Sequence, residues 1–254
     1  MTRQSAAPGV AWICGASHGI GRELARELVR AGWQVAASAR SRDALQTLVE
    51  ETGGAARAYP LDVTLPETVT DSVRAIEREM GPIDLAVLNA GVYDPMPLET
   101  FSAEACRQTF EVNLMGVVNG LDALLPGMRS RARGQVLVMG SVAGYRGLPM
   151  GGAYGASKAA LINLSESLAP ELARDGVRLR VVNPGFVRTR LTDKNPFPMP
   201  ARITPQMAAQ RIVAGLDRRG FEITFPRRFT YFLKLLRCLP YRLYFVLMRR
   251  VIRP

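Results

Sequence analysis

Tyr154 and Lys158 stand four residues apart in an amphipathic stretch, so a helix there projects both side chains from one face. The pairing suits proton transfer. A free phenol has a pKa of about 10, roughly three units too high to exchange protons well near neutrality. A neighbouring ammonium stabilises the phenolate and lowers that value. The same ammonium has N–H groups to spare for ribose hydroxyls. Alone, a Tyr-x-x-x-Lys pair most often marks a solvated helix face, and its weight comes from what lies upstream.

Upstream, Cys14-Gly15-Ala16-Ser17-His18-Gly19-Ile20-Gly21 follows a short apolar run and opens an amphipathic one. Glycines there let the backbone turn tightly and approach a pyrophosphate. The helix N-terminus adds free N–H groups and a positive dipole end. Between a buried strand and a helix, the cluster is read as a nucleotide loop. In NAD-binding chains an acidic residue about 20 residues further on holds the ribose 2′-hydroxyl. Here the second apolar run ends Ala37-Ser38-Ala39-Arg40-Ser41-Arg42. Ala39 takes the acidic position, and Arg40 supplies a guanidinium suited to a 2′-phosphate. The expected cofactor is NADP(H). The competing reading makes Arg40 and Arg42 ordinary surface charges at a helix start.

Positioning these groups requires strands and helices in alternation. Short apolar runs at 10–14, 34–38, 56–59, 85–88, 135–139 and 178–182 read as buried strands, and 222–225 as a seventh. Amphipathic stretches at 19–31, 44–51, 66–80, 103–131 and 154–174 read as helices between them. The fold class is α/β: a single doubly wound parallel sheet of about seven strands with helices on both faces. Pro170 should kink or break the 154–174 helix. Pro196, Pro198 and Pro200 make 189–201 a surface loop or lid. Two units are expected: a nucleotide-binding catalytic domain, 1–226, and a C-terminal extension, 227–254.

Composition excludes several classes. The 254 residues hold one histidine, His18, and three scattered cysteines, Cys14, Cys106 and Cys238. A Ser-His-Asp hydrolase would have to use His18, and no paired Cys/His motif predicts a metal site. No disulfide framework is suggested, so a reducing cytosol is the expected compartment. Residues 1–8 and the apolar run after them do not read as a signal peptide, and no run of 18 apolar residues suggests a spanning helix. The net charge of +11 is concentrated in the tail, which carries eight basic residues and no acidic one. Residues 1–226 keep 25 basic against 22 acidic, a net of +3.

Over about residues 8–225 the chain resembles the short-chain dehydrogenases/reductases, with motifs in the family's order. Gly15, Gly19 and Gly21 match the glycine motif, although the usual threonine before it is Cys14. Leu61-Asp62-Val63 resembles the family's adenine-contacting segment. Asn89-Ala90-Gly91 resembles the segment that steadies the cofactor side of the sheet. Pro184-Gly185, with Val187 and Thr189 beyond, resembles the stretch that reaches the nicotinamide amide. The resemblance implies a catalytic tetrad of Asn113, Ser141, Tyr154 and Lys158. Tyr154 would be the general acid/base, Ser141 would hold the substrate oxygen, and Asn113 would anchor a water linking Lys158 to solvent. The family also implies a homodimer or homotetramer through the long helices, and His18 takes a loop position often basic in NADP-preferring members.

Segments 93–98, 145–152 and 191–201 should border the substrate space, and their apolar side chains suit an apolar, lipid-like carbonyl or alcohol. Two other functions stay open: a 3-oxoacyl carrier-protein or coenzyme A reductase, and a catalytically idle NADP-binding interaction protein. The tail repeats Phe229, Phe232, Leu233 and Leu236, then Tyr241, Tyr244, Phe245, Met248 and Ile252, at helical spacing on either side of Pro240. It reads as two short amphipathic helices that lie on an anionic membrane surface, pack on their own enzyme, or bind an acidic macromolecular partner such as a carrier protein. The first reading adds a peripheral position at the inner face of a membrane. Nucleic acid is not an expected partner.

Overall fold

The structure, a computed structural model, describes residues 8–252. Seven strands form one parallel sheet: β1 Val10–Cys14, β2 Gln34–Ser38, β3 Ala56–Ala58, β4 Ile83–Leu88, β5 Gly134–Met139, β6 Val177–Pro184 and β7 Glu222–Phe225. Their order is β3-β2-β1-β4-β5-β6-β7. Every residue of β1 is buried, as a strand covered on both faces must be. The helices are α1 Gly19–Arg30, α2 Arg42–Glu51, α3 Pro66–Met80, α4 Ala103–Phe110, α5 Gly116–Ser130, α6 Gly152–Arg174, α7 Pro205–Val213, α8 Arg227–Arg237 and α9 Tyr241–Ile252. Leu24, Leu28, Leu45, Val87 and Ile212 belong to the core on one face of the sheet, and Trp12, Val73, Leu121, Leu161 and Leu179 to the core on the other. The order in which strands are added reverses between β1 and β4, which opens a crevice at their C-terminal ends. Open α/β sheets bind ligands at such a switch point.

Two expectations about helices differ from what is observed. The single helix expected over 103–131 is α4, a π-helical turn at Glu111–Met115, and α5. The turn holds Asn113, fully buried. Pro170 does not break α6, which runs unbroken to Arg174. Pro170 and Glu166, whose carbonyl loses its N–H partner, are both exposed, so solvent can reach the open group. The proline-rich 189–201 segment is a loop carrying a short 3₁₀ turn at Thr192–Lys194.

Candidate active site

The phosphate loop is shaped by contacts that leave no room for side chains. Gly15 has φ +97°, and a Cβ on it would lie 2.6 Å from the Ala90 nitrogen. A Cβ on Gly21 would lie 2.1 Å from the Gly15 carbonyl oxygen. Asn89 ties the two halves together, its Nδ2 donating to that same oxygen at 2.7 Å and its backbone N–H to Cys14 at 2.9 Å. Asn89-Ala90-Gly91 and the glycine loop are thus one unit across β1 and β4. Cys14 is buried, and burial, with the Asp62 carboxylate nearby, pushes its thiol up to about 12. It is a packing group with no thiolate chemistry near neutrality.

Helix α1 starts at Gly19 without a side-chain cap and without an acidic residue in its first turn. Its first N–H groups are therefore free for an anion, which is what a pyrophosphate needs. Ser17 and His18 lead into this turn, Ile20 follows it, and Thr189 packs over Gly19, 3.2 Å from where a Cβ would stand. His18 is exposed; partial desolvation, then the charges of Arg190 and Arg22, lower its pKa. It is neutral near pH 7, so the loop's positive charge comes from the two arginines instead. Arg190 was not singled out from the sequence, where its place beside Thr189 is the only signal.

At the β2 end, Ala39 accepts a hydrogen bond from the Leu61 N–H at 3.2 Å. Asp62 accepts from the Thr64 N–H at 2.9 Å and the Thr64 hydroxyl at 2.8 Å. Burial opposes ionisation of Asp62, but these bonds and the charge of Arg40 outweigh it and lower the pKa. Arg40 is exposed and placed at this end of the crevice. Val63 packs on Gly116 of α5. These residues fit a dinucleotide: a tight turn, open N–H groups, and a cation rather than a carboxylate after β2.

Asn113, Ser141, Tyr154 and Lys158 converge beside the C-terminal ends of β4 and β5. Lys158 is 3% exposed, and its Nζ donates to the Met139 carbonyl at 2.8 Å. Asn113 is clamped to Val92, accepting from its N–H at 2.7 Å and donating to its carbonyl at 2.9 Å. It also donates to Ser157 Oγ at 3.2 Å, and Ser157 in turn donates to the Tyr154 carbonyl at 2.7 Å. The π-helical turn thus braces the first turns of α6. A Cβ on Gly91 would stand 3.2 Å from Asn113 Oδ1 and 3.7 Å from Lys158 Nζ, so both line the same recess. Ser141 lies just past the end of β5 and accepts the Ala143 N–H at 3.1 Å, which fixes its hydroxyl at the start of a 3₁₀ turn.

The electrostatics differ from the expectation of a phenol lowered by its lysine. Burial pushes the Tyr154 phenol up, with the Ser141 hydroxyl opposing. Lys158 Nζ lies 5.7 Å from the centre of the Tyr154 ring and is engaged by Met139. Burial lowers the Lys158 pKa to about 8. Burial thus works against the charged form of each group, and the Lys158 ammonium that would stabilise a phenolate begins to titrate just above physiological pH.

Tyr93 packs edge-on against Tyr154, with ring centres 4.8 Å apart, and donates to Asn195 Oδ1 at 2.5 Å. Lys194 Nζ reaches Asp94 at 2.5 Å and the Tyr93 carbonyl at 3.1 Å. The 189–201 loop is pinned in this way to the segment after β4, directly over the tyrosine. Pro184 ends β6, the Gly185 N–H donates to Phe225 at 2.8 Å, and Val187 is buried in a bridge to Ile203.

Residues 9–197 match the family described as short chain dehydrogenase, and the chain belongs to that family. Within it, the chain is 36% identical to an uncharacterised oxidoreductase of Myxococcus xanthus, over 95% of this chain and 96% of that one. It is 33% identical to the 3-oxoacyl-[acyl-carrier-protein] reductase of Escherichia coli, over 80% of this chain and 83% of that one. An alcohol dehydrogenase of Thermococcus sibiricus, solved with 5-hydroxy-NADP, superposes with a TM-score of 0.76 at 32% identity, covering 85% of this chain and 95% of its own. A Burkholderia phymatum short-chain dehydrogenase/reductase, solved with NAD, gives 0.82 at 25% identity, covering 90% and 92%.

Proposed function

We propose that the protein is an NADP(H)-dependent oxidoreductase that interconverts an apolar, lipid-like carbonyl and its alcohol, with Tyr154 as general acid/base. The observation that carries this reading is the convergence of Ser141, Tyr154 and buried Lys158 beside a glycine loop open to a pyrophosphate. A bound nicotinamide supplies or accepts the hydride. Gly15, Gly19 and Gly21 would admit the pyrophosphate, Pro184, Gly185, Val187 and Thr189 would border the nicotinamide, and Arg40 would answer the 2′-phosphate. In the reductive direction the Tyr154 hydroxyl gives its proton to the carbonyl oxygen while Ser141 donates a hydrogen bond to that oxygen. Lys158 holds the ribose hydroxyls, and its charge eases loss of the phenolic proton. Asn113 fixes the turn from which α6 presents both groups. Tyr93, Phe186 and Phe197 give the space above an apolar lining; Phe186 and Phe197 meet edge-on with ring centres 6.1 Å apart. A homodimer or homotetramer through α4, α5 and α6 at the cytoplasmic face of a membrane is the proposed setting.

Cofactor choice is tested at Ala39. NADPH should bind more tightly than NADH, and Ala39→Asp should erase or reverse that preference by repelling the 2′-phosphate. One unfavourable charge contact is worth roughly 1–3 kcal/mol, or about 5–150-fold in the affinity ratio. Equal affinities in the unaltered protein would remove the basis for NADP selectivity.

The Lys158 shift sets a pH dependence. The group is charged below its pKa of about 8 and neutral above it. Carbonyl reduction, followed as kcat/KM, should therefore decline as pH rises through about 8. A profile flat to about pH 10, where an ordinary phenol titrates, would separate Lys158 from the proton chemistry. The likeness to the E. coli reductase keeps a 3-oxoacyl thioester as a second substrate class. Faster turnover of a carrier-bound 3-oxoacyl chain than of a free apolar ketone would favour it.

A further inference from the structure

Helices α8 and α9 grip the loops that border the catalytic recess. Phe229 of α8 packs on Gly185 and against Phe186, with ring centres 5.5 Å apart, and Leu233 joins Val142 and Tyr145 in a small apolar cluster. Lys234 pairs with Glu222. Arg146, in the loop between Ser141 and Tyr154, donates to the carbonyls of Leu236 at 2.8 Å and Leu239 at 2.7 Å. Its guanidinium lies 3.8 Å from the centre of the Tyr244 ring, and the Tyr244 hydroxyl bonds the Gly147 carbonyl. The extension is therefore built onto residues 145–147 and 185–186, which lead into the segments on either side of the substrate mouth.

Among the described residues, the opposite face is largely uncovered, although Arg146 also lies over the Tyr241 ring, 5.1 Å from its centre. Tyr231, Phe232 and Leu235 of α8, and Tyr241, Leu243, Phe245 and Val246 of α9, are each more than half exposed. Arg228, Phe232 and Leu235 share one helical face by their spacing, as do Arg242, Phe245 and Arg249. Arg227, Arg228, Arg237, Arg242, Arg249 and Arg250 are all exposed, and residues 227–254 contain no carboxylate side chain to offset them. A second copy docking face to face would set these arginines against one another. At 11 and 12 residues the helices are too short to span a bilayer, and among the described residues no helix is long and apolar enough to cross one. Aromatic and aliphatic side chains edged by unopposed arginines match the boundary between anionic headgroups and acyl chains.

We propose that the outer face of α8 and α9 docks on an anionic phospholipid bilayer and holds the substrate mouth at that surface, so that the site draws its carbonyl from the lipid phase. The delivery step rests on the oxidoreductase reading; the docking step does not. The full chain, without cofactor, should co-sediment with phosphatidylcholine vesicles containing phosphatidylglycerol, and binding should weaken with salt. Arg228→Gln with Arg242→Gln should reduce that binding by about fivefold per charge, or roughly 30-fold for the pair. Phe232→Ser with Phe245→Ser should reduce it while leaving circular dichroism and turnover of a water-soluble ketone unchanged. Failure to bind, indifference to lipid charge, or capture of an acidic carrier protein in place of vesicles would overturn the docking. If docking holds, anionic vesicles should raise the rate with a membrane-dissolved ketone and not with a water-soluble one, and equal rates would overturn the delivery. An inactive protein that still binds vesicles would refute the oxidoreductase reading and the delivery with it, and leave the docking standing.

Discussion

Tyr154→Phe should lower turnover by roughly 10²–10⁴-fold, the usual worth of a positioned general acid, while NADPH affinity stays within a few-fold of the parent. The ring's packing explains why the two readouts separate. Phenylalanine keeps the edge contact with Tyr93 and loses only the hydroxyl beside Ser141. Burial already pushes this phenol up, so in the reductive direction the proton is present and waiting at neutral pH. Stopped-flow turnover and fluorescence titration with NADPH check the two halves. Retention of most of the turnover would show that another group gives the proton.

Lys158→Met should remove turnover and weaken NADPH binding together, the latter by roughly 10–100-fold, as expected for loss of hydrogen bonds from a charged donor. Stability should move the other way. The folded pKa of about 8 lies below the ordinary 10.5 because burial disfavours the ammonium. That penalty is fully present below about pH 8 and fades as pH rises toward the unfolded value. Methionine fills a similar volume without the charge, so at pH 7 the variant's Tm should equal or exceed the parent's, even though Met139 loses a hydrogen bond. A large fall in Tm with unchanged NADPH affinity would make Lys158 a structural residue.

The sheet was legible because buried parallel strands write themselves as short apolar runs, and six runs and a seventh supply all its strands. The phosphate loop was legible because Gly15 and Gly21 touch backbone and admit no side chain. Hidden from the sequence were features that depend on contacts far along the chain. The π-helical turn at Glu111–Met115 has the same apolar periodicity as the helix around it, and only the clamp of Asn113 on Val92 reveals it. Pro170 carries a strong local signal, and its exposure cancels that signal. His18 looked like a cation, but partial desolvation, then the charges of Arg190 and Arg22, lowers its pKa in the folded chain. The anchoring of α8 and α9 depends on Arg146, about 90 residues upstream, and no periodicity in the tail announces it.

The most direct test of the account is NADPH consumption by the purified full chain across a panel of apolar ketones and aldehydes, with NADH in parallel. The expected result is oxidation of NADPH by at least one carbonyl, slower use of NADH, and no reaction from the Tyr154→Phe variant. NADPH bound tightly but untouched by every carbonyl, with NADP⁺ equally idle toward the matching alcohols, would contradict it and make the chain a nucleotide-binding interaction protein.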